Sequence, residues 1–225
     1  MYDTSLVNKI MKRSDAALQL QYFQDAMKEE TKRRKDFYNW ITEDIKAEFI
    51  NGEIIIHSPV KRRHWDANDL LSSLLSFYVR FNKLGRIGTE KVMISLTRND
   101  YEPDLVFFSQ KKVDTFKPDQ VLFPAPDFIV EILSPKTAKN DRTTKKEDYA
   151  LHRIPEYWII DPIKQRVEQY ILPESSKKYF PAKIIQYGET IESTVIPGFE
   201  INVAAIFDET VNLETLQVFM KKNSK

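Results

Sequence analysis

The segment Phe128-Ile129-Val130-Glu131-Ile132-Leu133 is apolar at every position but one. A strand sends successive side chains to opposite faces, so a run of this kind has two buried faces and must lie inside a sheet covered on both sides. KVMISL from Lys91 and DLVFF from Asp104 read the same way. Covering such a sheet requires helices, and the chain supplies them. Between Arg63 and Leu84, the residues Leu70, Leu71, Leu74, Leu75, Tyr78 and Phe81 recur at helical spacing, ahead of Gly85 in the place of a helix-ending glycine. Asp141 to His152 reads as another helix, and YWIID, RVEQYIL and KIIQY as further strands. The expected fold class is α/β: a mixed sheet flanked by helices, with late hairpins adding an antiparallel extension.

Punctuation sets the domain limits. AEFINGEIII is two apolar runs around Asn51-Gly52, a strong signal for a type I′ hairpin. Before it, residues 5 to about 36 contain no glycine or proline and carry Ala16, Leu20, Phe23 and Met27 on one helical stripe. The reading is a helical N-terminal extension over 1–36, a compact domain over 37–210 and a short helical tail over 211–225. The stripe suits packing on the chain's own domain, or on a second copy in a homodimer, better than it suits a nucleic-acid arm.

Composition narrows the function. With 42% hydrophobic and 30% charged residues the chain has the balance of a globular protein. Its apolar runs are strand-sized, so no membrane span is expected. The N-terminus lacks an apolar stretch behind its charges, and the expected location is cytoplasmic. Zero cysteines exclude disulfides, thiolate zinc sites and thiol catalysis. With three histidines, a metal site would be built mostly from carboxylates, favouring Mg²⁺ or Mn²⁺ over zinc. The net charge of +1 rules out bulk polycation behaviour, yet the basic residues are clustered: Lys32 to Lys35, Lys61 to Arg63, and Lys136, Lys139, Arg142, Lys145 and Lys146. Such clusters are either solvated faces or phosphate-facing surfaces.

Glu131 is the main anomaly, because a carboxylate buried without a partner costs several kcal/mol. It needs a cation, a partner or a proton, unless it reaches solvent at the strand end beside Ser134-Pro135. Asp104, after Pro103, heads the run Leu105 to Phe108 and by itself reads as a turn aspartate. Together the two are more informative, since neighbouring strands lie about 4.8 Å apart and can bring both carboxylates to one ion. Asp127 is a poorer candidate, roughly 13 Å from Glu131 along the strand, and is read as structural. Lys145 shares a helix face with Asp141 and Tyr149 and can reach a phosphate oxygen or an attacking water, or simply point to solvent. His64, at a helix start, is read as a capping or surface residue ahead of a phosphate contact.

These residues, taken in order, resemble the Uma-type (Uma-two) restriction endonuclease family within the PD-(D/E)XK nuclease superfamily. The resemblance covers roughly Ala47 to Leu172. It is carried by NGEIIIHSP (Asn51–Pro59) with His64 soon after, Pro103-Asp104, APDFIVEILSP (Ala125–Pro135), then Asp141, Lys145, Tyr149 and EYWIIDP (Glu156–Pro162). It implies a restriction-endonuclease-like catalytic domain that hydrolyses phosphodiester bonds in nucleic acid, DNA in the first place. Asp104 and Glu131 would bind Mg²⁺ (or Mn²⁺), with the main-chain carbonyl of Ile132 as third ligand and Glu53 as a secondary ligand or a group behind the ligands. The lysine usual two residues after the glutamate is replaced by Leu133, and its role falls to Lys145. Arg153 stands where the family usually has glycine, which affects the helix end and leaves the chemistry alone. His64, Lys136, Lys139 and Arg142 would contact the nucleic acid. The alternative is a catalytically inactive nucleic-acid-binding or assembly module with the same fold.

Overall fold

A computed structural model describes residues 4–222. The chain divides into two compact units, one up to Ile56 and one from His57.

The first unit consists of α1 (Thr4–Met11), α2 (Ala16–Trp40), β1 (Ala47–Ile50) and β2 (Glu53–Ile56). The expected single helix is thus two. It breaks at Lys12 to Asp15, where the Arg13 guanidinium binds the Asp15 carboxylate through two hydrogen bonds of 2.7 and 2.8 Å. The β1–β2 register runs from Ala47 opposite Ile56 to Ile50 opposite Glu53. Its two-residue turn has positive φ at both Asn51 (53°) and Gly52 (86°), as type I′ demands.

The second unit opens with α3 (Arg62–Phe81), followed by β3 (Gly85–Thr89), β4 (Met93–Ser95), β5 (Asp100–Tyr101), β6 (Leu105–Ser109), the single turn α4 (Gln110–Val113), β7 (Leu122–Phe123) and β8 (Phe128–Ile132). Next comes a composite helix: α5 (Ala138–Asn140), a π-helical turn over Asp141–Lys145, and α6 (Lys146–Leu151). The strands β9 (Glu156–Asp161), β10 (Arg166–Ile171), β11 (Lys183–Gln186), β12 (Thr190–Glu192) and β13 (Glu200–Asn202) lead through a 3₁₀ turn (Val203–Ile206) to α7 (Glu209–Lys222).

Six strands form the main sheet in the order β11-β10-β9-β8-β6-β3. The β8–β9 pair is parallel and the other neighbours are antiparallel, so β10 and β11 are the expected antiparallel extension. One face carries the core. Leu71, Leu74, Leu75 and Val79 of α3 pack with Leu105, Phe107, Phe128, Val130, Trp158 and Ile160, and Phe219 of α7 joins them. Each such aliphatic side chain contributes about 1.5–3 kcal/mol of burial, which is why α3 is fixed beneath the strands that carry Asp104 and Glu131. The opposite face holds Ile129, Glu131, Tyr157 and Ile159, and the composite helix lies over it, with Tyr149 against Tyr157 at a ring separation of 5.2 Å.

Helix α3 does not end on Gly85. The left-handed residue closing it is Lys83 (φ 55°), with Leu84 N–H bonded to Val79 O and Lys83 N–H to Arg80 O, the Schellman pattern. Gly85 has a different duty: a Cβ there would sit 2.0 Å from Phe108 O, so glycine is what lets β3 lie against β6.

Candidate active site

The antiparallel register of β6 and β8 sets Leu105 opposite Val130 and both point into the core. Continued one residue past the start of β6, the same register sets Asp104 opposite Glu131, and directly opposed residues share a face with Cβ atoms about 4.5–5.5 Å apart. Both carboxylates therefore sit on the side away from the core, and both are 5% exposed. The Asp104 Oδ2 accepts a hydrogen bond from Ile132 N–H (2.7 Å), so the aspartate is oriented by the strand carrying Glu131. Its Oδ1 is 3.4 Å from His64 Nε2. This contact is an approach of charge and ring without hydrogen-bond alignment, since neither ring nitrogen of His64 has a hydrogen-bond partner. His64 is buried in the first turn of α3, and the expectation of a surface or capping residue does not hold.

Lys145 is the cation on Glu131. Its Nζ donates to Glu131 Oε1 at 2.9 Å and lies 3.7 Å from Asp141 Oδ1, and only 2% of the residue is exposed. The Tyr149 hydroxyl donates to the same Glu131 oxygen at 2.9 Å. Lys146, by contrast, places its Nζ over the ring of Tyr170, 5.4 Å from the centroid. The π-helical turn accounts for this geometry. Widening the helix at Asp141–Lys145 changes the phase of every residue that follows, and such turns recur at functional sites.

The remaining predicted residues fall in different places. Lys136 and Lys139 are exposed on the segment after β8, and Lys61 to Arg63 are exposed at the start of α3, next to His64. Arg142 is engaged elsewhere: its guanidinium holds Glu168 of β10 through hydrogen bonds of 2.6 and 3.1 Å. Burial alone would raise the Glu168 carboxyl, but hydrogen bonds and charge from Arg142, with help from Tyr170 and Arg166, keep it below the ordinary value. Glu53 is exposed at the start of β2 in the first unit. Asp127 is structural, accepting from Ser109 N–H (2.8 Å) and pairing with Lys112 (2.8 Å).

Two polar clusters carry no signal that singled them out. Asp148 receives Asn99 and the Tyr101 hydroxyl, each at 2.7 Å, and lies 3.0 Å from His152 Nδ1. His152 Nε2 in turn accepts from Thr97 N–H at 3.0 Å, so this hydroxyl, imidazole and carboxylate series fastens the turn before β5 onto α6. Glu156 is fully buried and gathers Trp158 Nε1, Gln169 Nε2, Ser193 Oγ, Thr194 Oγ1 and the N–H groups of Thr194 and Val195.

Among the described residues no three His, Asp or Glu side chains enclose an ion by themselves. Two carboxylates nevertheless suit a hard cation that keeps water and phosphate in its shell, which is how Mg²⁺ is commonly held. A mixed sheet covered by helices, with acids on adjoining central strands, is the architecture of the restriction-endonuclease-like class. The chain belongs to the Uma2 family, described as "Putative restriction endonuclease", which matches residues 34–204. In fold it is similar to the crystal structure of a "putative nuclease belonging to DUF820" from Anabaena variabilis ATCC 29413, with a TM-score of 0.66 and 18% identity, over 81% of this chain and 97% of that one. No curated protein matches the chain.

Proposed function

We propose that this protein is a metal-dependent endonuclease that hydrolyses phosphodiester bonds in nucleic acid, DNA in the first place. The observation that carries the reading is that Asp104, just ahead of β6, accepts from Ile132 N–H beside Glu131 of β8, while buried Lys145 donates to Glu131. Asp104, Glu131 and the Ile132 carbonyl would hold Mg²⁺ or Mn²⁺, which would neutralise phosphate charge and make water a better nucleophile. The chain's own groups do the rest. Lys145, fixed by Glu131 and Asp141, presents an ammonium where negative charge develops, in surroundings dry enough to make that charge count. Tyr149 and Ile132 N–H hold the two carboxylates in register. Exposed Lys61, Arg63, Lys136 and Lys139 lie on segments that lead into the site and suit backbone phosphates, which position a substrate whatever its sequence.

The test is incubation of purified protein with plasmid, single-stranded DNA and RNA in Mg²⁺, Mn²⁺ or EDTA. Cleavage with metal that EDTA abolishes is expected. Binding without cleavage under every condition would instead identify an inactive nucleic-acid-binding module.

A further inference from the structure

The polar stripe that begins at His64 continues along α3. At about 100° per residue, His64, Asn68 and Ser72 fall within a narrow arc, with Trp65 and Asp69 beside them. Trp65, Asn68, Asp69 and Ser72 face Thr89, Glu90 and Lys91 across a cleft of about 340 Å³. The cleft adjoins the Asp104 site twice over: His64 on α3 reaches Asp104, and Glu90 N–H is bonded to Asp104 O at 3.0 Å.

Two features of this cleft point to a ligand. Trp65 is 59% exposed, an open aromatic face on the rim. Asn68 is only 6% exposed, and while its Nδ2 donates to Glu90 Oε1 (3.2 Å), its Oδ1 is buried without a hydrogen-bond partner. The amide orientation is fixed, because the NH₂ must face the Glu90 carboxylate. An acceptor in such a position calls for a donor. The two carboxylates of Asp69 and Glu90 outweigh the single Lys91 ammonium in this lining, which disfavours a phosphate and favours N–H donors.

We infer that this cleft is a nucleobase subsite, in which Trp65 stacks on a base freed from pairing and Asn68 Oδ1 and Glu90 accept hydrogen bonds from its amino and imino groups. The inference rests on the nuclease reading and deepens it. An acceptor-rich wall prefers guanine, which offers N1–H and N2–H₂ on one edge, over thymine or uracil, which offer a single N–H.

The test measures binding of labelled short single strands, DNA and RNA, in EDTA so that no cleavage intervenes, with guanine, thymine or an abasic residue at the central position. Trp65→Ala is expected to weaken binding of the guanine strand about 5- to 150-fold, the range for loss of one base–aromatic stack, and to leave the abasic strand unchanged. Trp65→Phe should retain most of the affinity, and Asn68→Ala should erase the preference for guanine over thymine. Because Trp65 is exposed, its variants should keep the wild-type melting temperature. Equal binding of the guanine strand by wild type and Trp65→Ala, or equal wild-type binding of guanine and abasic strands, overturns the subsite. If metal-dependent cleavage persists in that case, the nuclease reading survives alone; if wild type neither binds nor cuts any nucleic acid, both fall.

Discussion

Lys145 has two duties that pull its substitutions in separable directions. It neutralises Glu131 within the fold, and in the proposed reaction it faces the developing charge. Lys145→Ala is expected to lower the cleavage rate by on the order of 10² or more with little loss of substrate binding, as removal of a transition-state donor does. The same change leaves Glu131 buried with a hydroxyl in place of a cation, so stability should fall by about 3–5 kcal/mol. Rates are therefore to be compared well below the variant's melting temperature. Lys146→Ala, which removes only a contact over Tyr170, should change the rate far less. Equal, mild effects of the two would remove Lys145 from the reaction. Leu133, which stands where the superfamily expects this lysine, lies just past the end of β8 and its N–H pairs with Ile160 O.

At the scale of elements, the helix ends are held by unusual residues. Lys83 and Arg153 both adopt left-handed conformations (φ 55° and 63°) that cost non-glycine residues about 1–2 kcal/mol. Each closes a Schellman motif, with Ile154 N–H on Tyr149 O and Arg153 N–H on Ala150 O in the second case. Arg153 recovers something through hydrogen bonds to Ser176 O and Glu174 O. Lys83 is exposed, so Lys83→Gly is expected to stabilise the protein by about 0.5–1 kcal/mol in urea denaturation, glycine's extra freedom when unfolded offsetting part of the gain. Gly85→Ala, two residues on, should have the opposite sign and a larger size. Its methyl would meet Phe108 O, so β3 must separate from β6, and a loss of several kcal/mol is the expected readout. A neutral Gly85→Ala would contradict the close approach of the two strands.

Over the whole second unit, stability should depend on pH from both sides. Tyr157 and Tyr170 stack on the sheet face beneath α6, and burial pushes both phenols up, Tyr170 to about 12 and Tyr157 well above the ordinary value. A phenol raised in the folded state contributes stability that is complete below about pH 10 and is lost as pH rises through the folded value. Unfolding midpoints should thus fall above pH 10, with phenolate absorbance appearing together with unfolding. Glu168 works in the other direction. Held low by Arg142 against the effect of its own burial, it contributes stability present above about pH 4.5 and lost as pH falls through its folded value. Arg142→Ala should therefore move the acid transition upward. Glu156, which gathers donors from β9, β10 and the Ser193–Val195 turn, predicts a third response. Glu156→Gln turns an NH₂ toward groups that are themselves donors, and a loss of about 3–5 kcal/mol in denaturation midpoints is expected.

The strands and their burial were legible because periodicity is a local property. FIVEIL, DLVFF and YWIID need no knowledge of their neighbours to be read as buried strands, and Asn51-Gly52 contains its own turn. Glu131 stood out for the same reason, as a charge in an apolar run. Some elements left no such trace: β3 is Gly-Arg-Ile-Gly-Thr, with two glycines where a strand pattern would place side chains, and β12 and β13 are three residues each. The break in the N-terminal helix and the π-helical turn likewise escape a reading that assumes one uniform period. Lys145 at the Glu131 site was reached through the family resemblance, but most partners distant in the chain left no local trace. That Arg142 holds Glu168, that His64 is buried beside Asp104, and that Trp65 and Asn68 wall a cleft are set by register and by packing of α3 and α6 on opposite faces. A sequence specifies what each segment can bury, whereas the pairing of segments decides which polar groups meet, since no side chain carries in its own neighbourhood the identity of the group it will face.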